Sequence, residues 1–206
     1  MTEEYSTRIK VCGLHRTVDV EYVNEALPEY AGMVFWEPSK RNVGLKEAIE
    51  LRKILNPDIY SVGVFVDRDP KDVIWLAENK VISHVQLHGN EDDEYISFIR
   101  SNVPTDTVII KAYEVSSSDD IKRANESIAD MILIDSGKGS GKTFDWSLLE
   151  LLKRDYFLAG GLSADNVCDA IKKYKPYAVD VSSKVETDGN KDLNKILEFC
   201  AAVRSV

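Results

Sequence analysis

The feature that most constrains the fold is an alternation running along the whole chain: short β-branched or aromatic apolar runs separated by longer amphipathic stretches. The apolar runs fall at residues 8–12, 32–36, 60–66, 83–87, 107–112, 131–135, 156–159 and 178–182. A run that is apolar at consecutive positions suits a strand covered on both faces, as in a parallel sheet packed by helices. The stretches between carry helical periodicity at 45–55, 69–79, 91–101, 164–174 and 193–203. Several of them open on an Asp, Ser or Asn able to accept from the free amides of a first turn. Eight strands each followed by a helix are the inventory of a closed barrel, so the expected fold is α/β, a (β/α)8 TIM barrel. An open doubly wound sheet shares the alternation, and periodicity does not separate the two.

The 206 residues suffice for one substantial core, and no Pro/Gly/Ser linker interrupts the series, so one domain over 1–206 is expected. A net charge of −9 argues against a nucleic-acid partner, because tracking phosphates needs clustered cations. No run approaches the roughly 20 apolar residues that cross a bilayer, and the first residues carry acids rather than an apolar leader. A cytoplasmic protein with no membrane partner is therefore expected. Cys12, Cys168 and Cys200 are odd in number and form no CxxC pair, which argues for neither disulfide nor metal site.

In a barrel of this kind reactive groups sit where strands end. The first run ends Lys10-Val11-Cys12-Gly13, a thiol at the rim beside a glycine that permits close approach. A free Cys is also commonly a small buried hydrophobe, the reading that suits Cys168 and Cys200 within helical patterns. The second run leads to Arg41, either a planar fork for a carboxylate or a solvated surface side chain. The fourth gives Gln86-Leu87-His88-Gly89, and strand alternation points Gln86 and His88 to one side, toward a ligand or into a structural hydrogen bond. The sixth ends on Asp135, where a charge after four apolar residues needs either exposure or a partner.

Two glycine-containing segments differ in meaning. Ser136-Gly137-Lys138-Gly139-Ser140-Gly141-Lys142-Thr143 resembles a P-loop, but that motif requires glycine where Ser136 stands, and Asp145 looks like the cap of the following helix. Gly160-Gly161 after the seventh run and Ser182-Ser183 after the eighth suit a phosphate site at adjacent strand ends. Taken separately they are also a tight turn and a capped loop. An acidic protein can hold a phosphorylated small molecule with backbone amides in this way.

The ordered segments KVCGL, GMVFWEPSKR, SVGVFV, VQLHGNE, LIDSGKGSGKTFDW, FLAGGLSADNV and VDVSSKVETDGNKD resemble the phosphoribosylanthranilate isomerase family of tryptophan biosynthesis, from Lys10 to Asp192. The resemblance implies a cofactor-free Amadori rearrangement in which Cys12 matches the general base and Asp135 the general acid. Arg41 then matches the residue that engages the anthranilate carboxylate, and Gly160, Gly161, Ser182 and Ser183 the phosphate site. A partly desolvated rim or a nearby carboxylate such as Asp180 is expected to keep Asp135 protonated, and a cation such as Lys10 or Lys111, or local amides, to lower the Cys12 thiol, with Lys10 pointing either inward or outward. Lys184 departs from the glycine usual after VDVSS and puts that loop's backbone in question. The rival expectations are the aminoaldose isomerase of histidine synthesis, whose aspartate stands where Cys12 is, a nucleotide-binding regulatory module, and a catalytically inactive ligand-binding barrel. Assembly as a monomer or homodimer completes the expectation.

Overall fold

The computed structural model describes residues 6–136 and 145–206, and in it all eight apolar runs become parallel strands closed into one barrel. They are β1 (Arg8–Cys12), β2 (Tyr30–Phe35), β3 (Tyr60–Phe65), β4 (His84–Leu87), β5 (Val108–Glu114), β6 (Met131–Asp135), β7 (Tyr156–Ala159) and β8 (Ala178–Val181). The barrel closes where β1 pairs with β8, Lys10 opposite Asp180, which rules out the open sheet. Strand ends follow the hydrogen-bond ladder rather than hydropathy. Thus β2 starts early at Tyr30, paired with Tyr60, and β5 runs on to Glu114, paired with Asp135.

The helices are α1 (Thr17–Ala26), α2 (Leu45–Ile54), α3 (Pro70–Glu78), α4 (Asp93–Asn102), α5 (Ser118–Glu126), α6 (Val167–Tyr174) and α7 (Leu193–Arg204). Asp69, Asp92, Ser117 and Asp192 each accept from a first-turn amide, so the side chains read as caps do that work. Helix α6 starts later than its periodicity suggests, because the Ser163 amide donates to Asn166 Oδ1 at 2.8 Å and holds 163–166 as a turn. The strict repeat also fails after β6. There the described residues form a 3-10 helix, Trp146–Leu151, capped by Asp145, which accepts from the Ser147 amide at 3.0 Å. After β8 comes a 3-10 turn, Ser183–Val185, then an antiparallel ribbon of β9 (Glu186–Thr187) and β10 (Asn190–Lys191).

Alternation sends every second strand residue inward. Cys12, Tyr30, Val62, Val64, Ile110, Ala112, Leu133, Phe157, Ala159 and Ala178 form one buried cluster inside the barrel, while Ile9, Val11, Val85, Ile109 and Ile132 pack outward in a second cluster with the helices. Aromatic rings close the end where the strands begin: Tyr30 stacks on Tyr60 at 5.4 Å and meets Phe157 edge-on at 5.2 Å.

His84 sits in this plug against Tyr30 and Tyr60, and burial lowers its pKa to about 4. The unfolded chain takes up that proton near pH 6.5, as an ordinary histidine does. Between those values the unfolded state binds more protons, so stability rises with pH across the window and is lost as pH falls through it. The full effect is on the order of 3 kcal/mol. Urea midpoints at pH 7 and pH 4.5 should therefore fall less in His84→Gln than in the wild-type chain. Equal falls would show that His84 does not contribute.

Candidate active site

At the end where the strands terminate, β1 and β8 place three ionisable groups together. Lys10 is fully buried, and its Nζ donates to Asp180 Oδ2 at 3.0 Å. Cys12, one inward position further along β1, is also buried and lies within the electrostatic reach of Lys10. Lys10 thus points inward, toward the thiol, and lies closer to it than the alternative cation. Lys111 faces outward from β5 and is bound to Gly89 O at 2.7 Å and Glu91 Oε2 at 3.2 Å. The expected lowering of the thiol does not occur: burial pushes Cys12 up and outweighs the opposing pull of Lys10 and Lys191. Burial likewise pushes the Asp180 carboxyl up, against Lys10 and with Asp135 adding to the rise.

Arg41 reaches across the end of β1. A Cβ at Gly13 would strike Arg41 Cδ and come within 3.3 Å of Ser182 Oγ, so only glycine admits both neighbours. The guanidinium is partly exposed and already engaged along one edge. Its Nε and Nη2 donate to the two oxygens of Glu186 at 2.6 Å each, a bidentate fork anchored on β9. Glu186 also accepts from Lys191 Nζ at 2.6 Å, and Lys191 donates to Ser182 O at 3.0 Å. Sequence reasoning missed Glu186 and Lys191, because their role depends on a ribbon of two-residue strands that hydropathy does not register.

On the opposite wall, Gln86 and His88 do share the inward side of β4, with Gln86 Nε2 3.0 Å from His88 Nδ1. His88 Nε2 lies 3.6 Å from Asp135 Oδ2, which joins the fourth and sixth strand ends. Behind this pair the β4 loop is held rigidly. Glu91 accepts from the amides of Asp67 and Gly89 at 2.9 Å each, and Lys111 ties Gly89 O to Glu91 from outside the barrel. A groove of about 1000 Å³ opens from His88, Ala112 and Asp135 outward between α4 and α5. It meets the acid side of the mouth and not Cys12, Gly160 or Gly161.

Gly160 and Gly161 both adopt left-handed backbone, φ +94° and +72°, a sequence of angles that L side chains avoid. A Cβ on Gly160 would collide with Ser136 Oγ and sit 2.9 Å from Asp135 Oδ1, so the glycine also makes room for the carboxyl group. Strands β7 and β8 are neighbours, which sets this pair beside Ser182, and Ser183 opens the 3-10 turn. Lys184 lies in that turn without positive φ, so the chain accepts a side chain there without strain. The P-loop-like stretch 137–144 lies outside the described residues. Among the described residues no group of three or more His, Cys, Asp or Glu could hold a metal ion, and no helix is long and apolar enough to cross a membrane.

Cys12 on β1 and Asp135 on β6 both stand at strand ends, and Asp180 on β8 interacts through space with each. Fold and site together define a (β/α)8-barrel enzyme with acid–base groups around its mouth. A family description of N-(5'phosphoribosyl)anthranilate (PRA) isomerase matches residues 9–202. The chain is 45% identical, over 97% of its length and 99% of the relative's, to the N-(5'-phosphoribosyl)anthranilate isomerase of Endomicrobium trichonymphae. It superposes on the crystal structure of phosphoribosyl anthranilate isomerase from Thermotoga maritima with a TM-score of 0.86, at 35% identity over 97% of this chain and 100% of that one. A crystal structure of the isomerase in complex with reduced 1-(o-carboxyphenylamino)-1-deoxyribulose 5-phosphate is similar at a TM-score of 0.84 and 34% identity, covering 97% and 100% of the two chains. The chain belongs to the N-(5'-phosphoribosyl)anthranilate isomerase family.

Proposed function

We propose that this chain converts N-(5-phosphoribosyl)anthranilate to 1-(2-carboxyphenylamino)-1-deoxyribulose 5-phosphate in tryptophan biosynthesis, with Cys12 as general base and Asp135 as general acid. The observation that carries the reading is that this thiol and this carboxyl group end β1 and β6 of one closed barrel, with Asp180 on β8 interacting with both. Asp135 gives a proton to the furanose oxygen, the C1–O bond breaks, and a Schiff base forms at C1. That cation makes the C2 proton acidic, and Cys12 as thiolate removes it to give the enolamine. C1 then takes up a proton while the C2 hydroxyl loses one, which returns Cys12 and Asp135 to their starting states. Substrate and product are isomers, so no electrons are gained or lost and the reaction calls for no redox cofactor.

The glycine pair Gly160-Gly161 with Ser182 and Ser183 is suited to the phosphate, through amides left free by left-handed backbone. Gln86, His88 and Asp180 line the inner wall against the sugar. Arg41 is read as the partner of the anthranilate carboxylate. Glu186 occupies Nε and one Nη2 hydrogen, and the Nη1 edge remains for a second carboxylate. Arg41→Lys should raise KM about tenfold or more with a smaller change in kcat, because a charge-assisted hydrogen bond contributes about 1.5–3 kcal/mol and an ammonium cannot reproduce the fork. An unchanged KM would remove Arg41 from the substrate site.

We read the chain as one barrel domain acting in the cytoplasm as a monomer or homodimer; the Thermotoga maritima relative has been described as dimeric. The test of function is the loss of the substrate's anthranilate fluorescence on incubation with the purified protein. A folded protein that leaves the fluorescence unchanged, yet isomerises the two-phosphate aminoaldose of histidine synthesis, would overturn the assignment.

A further inference from the structure

Two buried acceptor atoms in the barrel have no donor: Gln86 Oε1 and Asp180 Oδ1. A buried acceptor left without a donor costs about 1–3 kcal/mol. Meanwhile Gln86 turns its amide nitrogen to His88 Nδ1 at 3.0 Å. The two ends of a carboxamide are nearly isosteric, so the hydrogen bonds available decide which way it faces. A half-turn puts Oε1 against Nδ1, where it accepts a ring proton, and so gives that oxygen a donor.

The orientation has a chemical consequence. With the amide nitrogen on Nδ1, that atom must be unprotonated, and the sole ring proton lies on Nε2 facing Asp135 as a carboxylate. With the amide oxygen on Nδ1, the ring keeps its Nδ1 proton, and a second proton can reside on either Nε2 or Asp135 Oδ2, which stand 3.6 Å apart. We propose that Gln86 is a positioning residue that holds His88 in its Nδ1-protonated form, so that the His88–Asp135 pair stores the one proton delivered to the substrate's ring oxygen. The inference rests on the reading of Asp135 as the general acid. Among the described residues, the charged groups facing the pair are Asp180 from β8, with Lys10 from β1 bound to its other oxygen, and behind the β4 loop Glu91, engaged by Lys111 from β5.

The chain has three histidines, His15, His84 and His88, so long-range ¹H–¹⁵N spectra of labelled protein assign the His88 ring nitrogens readily. The expected result is a protonated Nδ1 in the wild-type chain and a shift toward protonation at Nε2 in Gln86→Leu. The same variant should lose about tenfold or more in kcat, the lower range of what proton transfer supplies, with little change in KM. Gln86→Glu is nearly isosteric; it should keep the Nδ1 proton and move the alkaline fall of kcat to higher pH. A wild-type Nδ1 without a proton, or a Gln86→Glu profile superimposed on that of the wild type, would overturn the proposal. Turnover retained in Asp135→Asn would instead overturn the acid assignment and leave the tautomer result standing.

Discussion

Cys12→Ala is expected to lower kcat by about three orders of magnitude while the chain folds normally, since general-base catalysis by a placed side chain contributes roughly 10²–10⁴-fold. The change is small: the thiol lies over Gly32, which has no side chain, and alanine leaves a void of about one sulfur atom. The pH dependence sharpens the test. Burial pushes this thiol up, with Lys10 and Lys191 only partly opposing it. The thiolate fraction of the free enzyme therefore grows with pH through and beyond the ordinary thiol range near 8.5, which supplies the rising factor in kcat/KM, while loss of the acid's proton supplies the falling one. Near-wild-type kcat in a folded Cys12→Ala chain would mean that the base is another group. Measured beside it, Asp135→Asn should lose turnover to a comparable degree, because an amide N–H is far too weak an acid to transfer a proton to the ring oxygen.

The second large effect is on stability. Lys10→Met removes one partner of an ion pair in which the lysine has no exposure and the carboxylate very little. Breaking such a pair typically costs about 3–5 kcal/mol, because the remaining charge stays buried without compensation. The midpoint of urea unfolding should drop accordingly with an unchanged slope. Adding Asp180→Asn should restore much of the loss, since the double variant buries no lone charge. A Lys10→Met midpoint equal to that of the wild type would show that Asp180 is neutral in the folded chain and that the pair is not ionic. Turnover reports separately: Lys10→Met also removes the cation nearest Cys12, so its kcat/KM should lie below that of the wild type even where folding is complete.

Much of the site was legible because a barrel turns strand ends into a single locus. Once the eight apolar runs are strands, Cys12, Gln86, His88, Asp135, Gly160 and Asp180 must converge, whatever loops separate them. Their partners were less legible. Arg41 reads equally as a surface side chain or a substrate fork, and its bidentate grip on Glu186 spans 145 residues and depends on a ribbon with two-residue strands. The direction of the Cys12 shift was also hidden. From sequence, Lys10 is a cation two residues from a thiol, whereas burial of that thiol is a property of the closed barrel.

Local sequence determined the strands, most helices, their Asp and Ser caps and the left-handed glycine pair, because each depends on propensity and hydrogen bonds within a few residues. Tertiary structure alone decided that the sheet closes, that Lys10 points to Asp180 and Lys111 away from Cys12, and that desolvation outweighs Coulomb attraction at the thiol. Those outcomes depend on which atoms meet across the barrel and on how much water they lose there, quantities that no stretch of chain carries by itself.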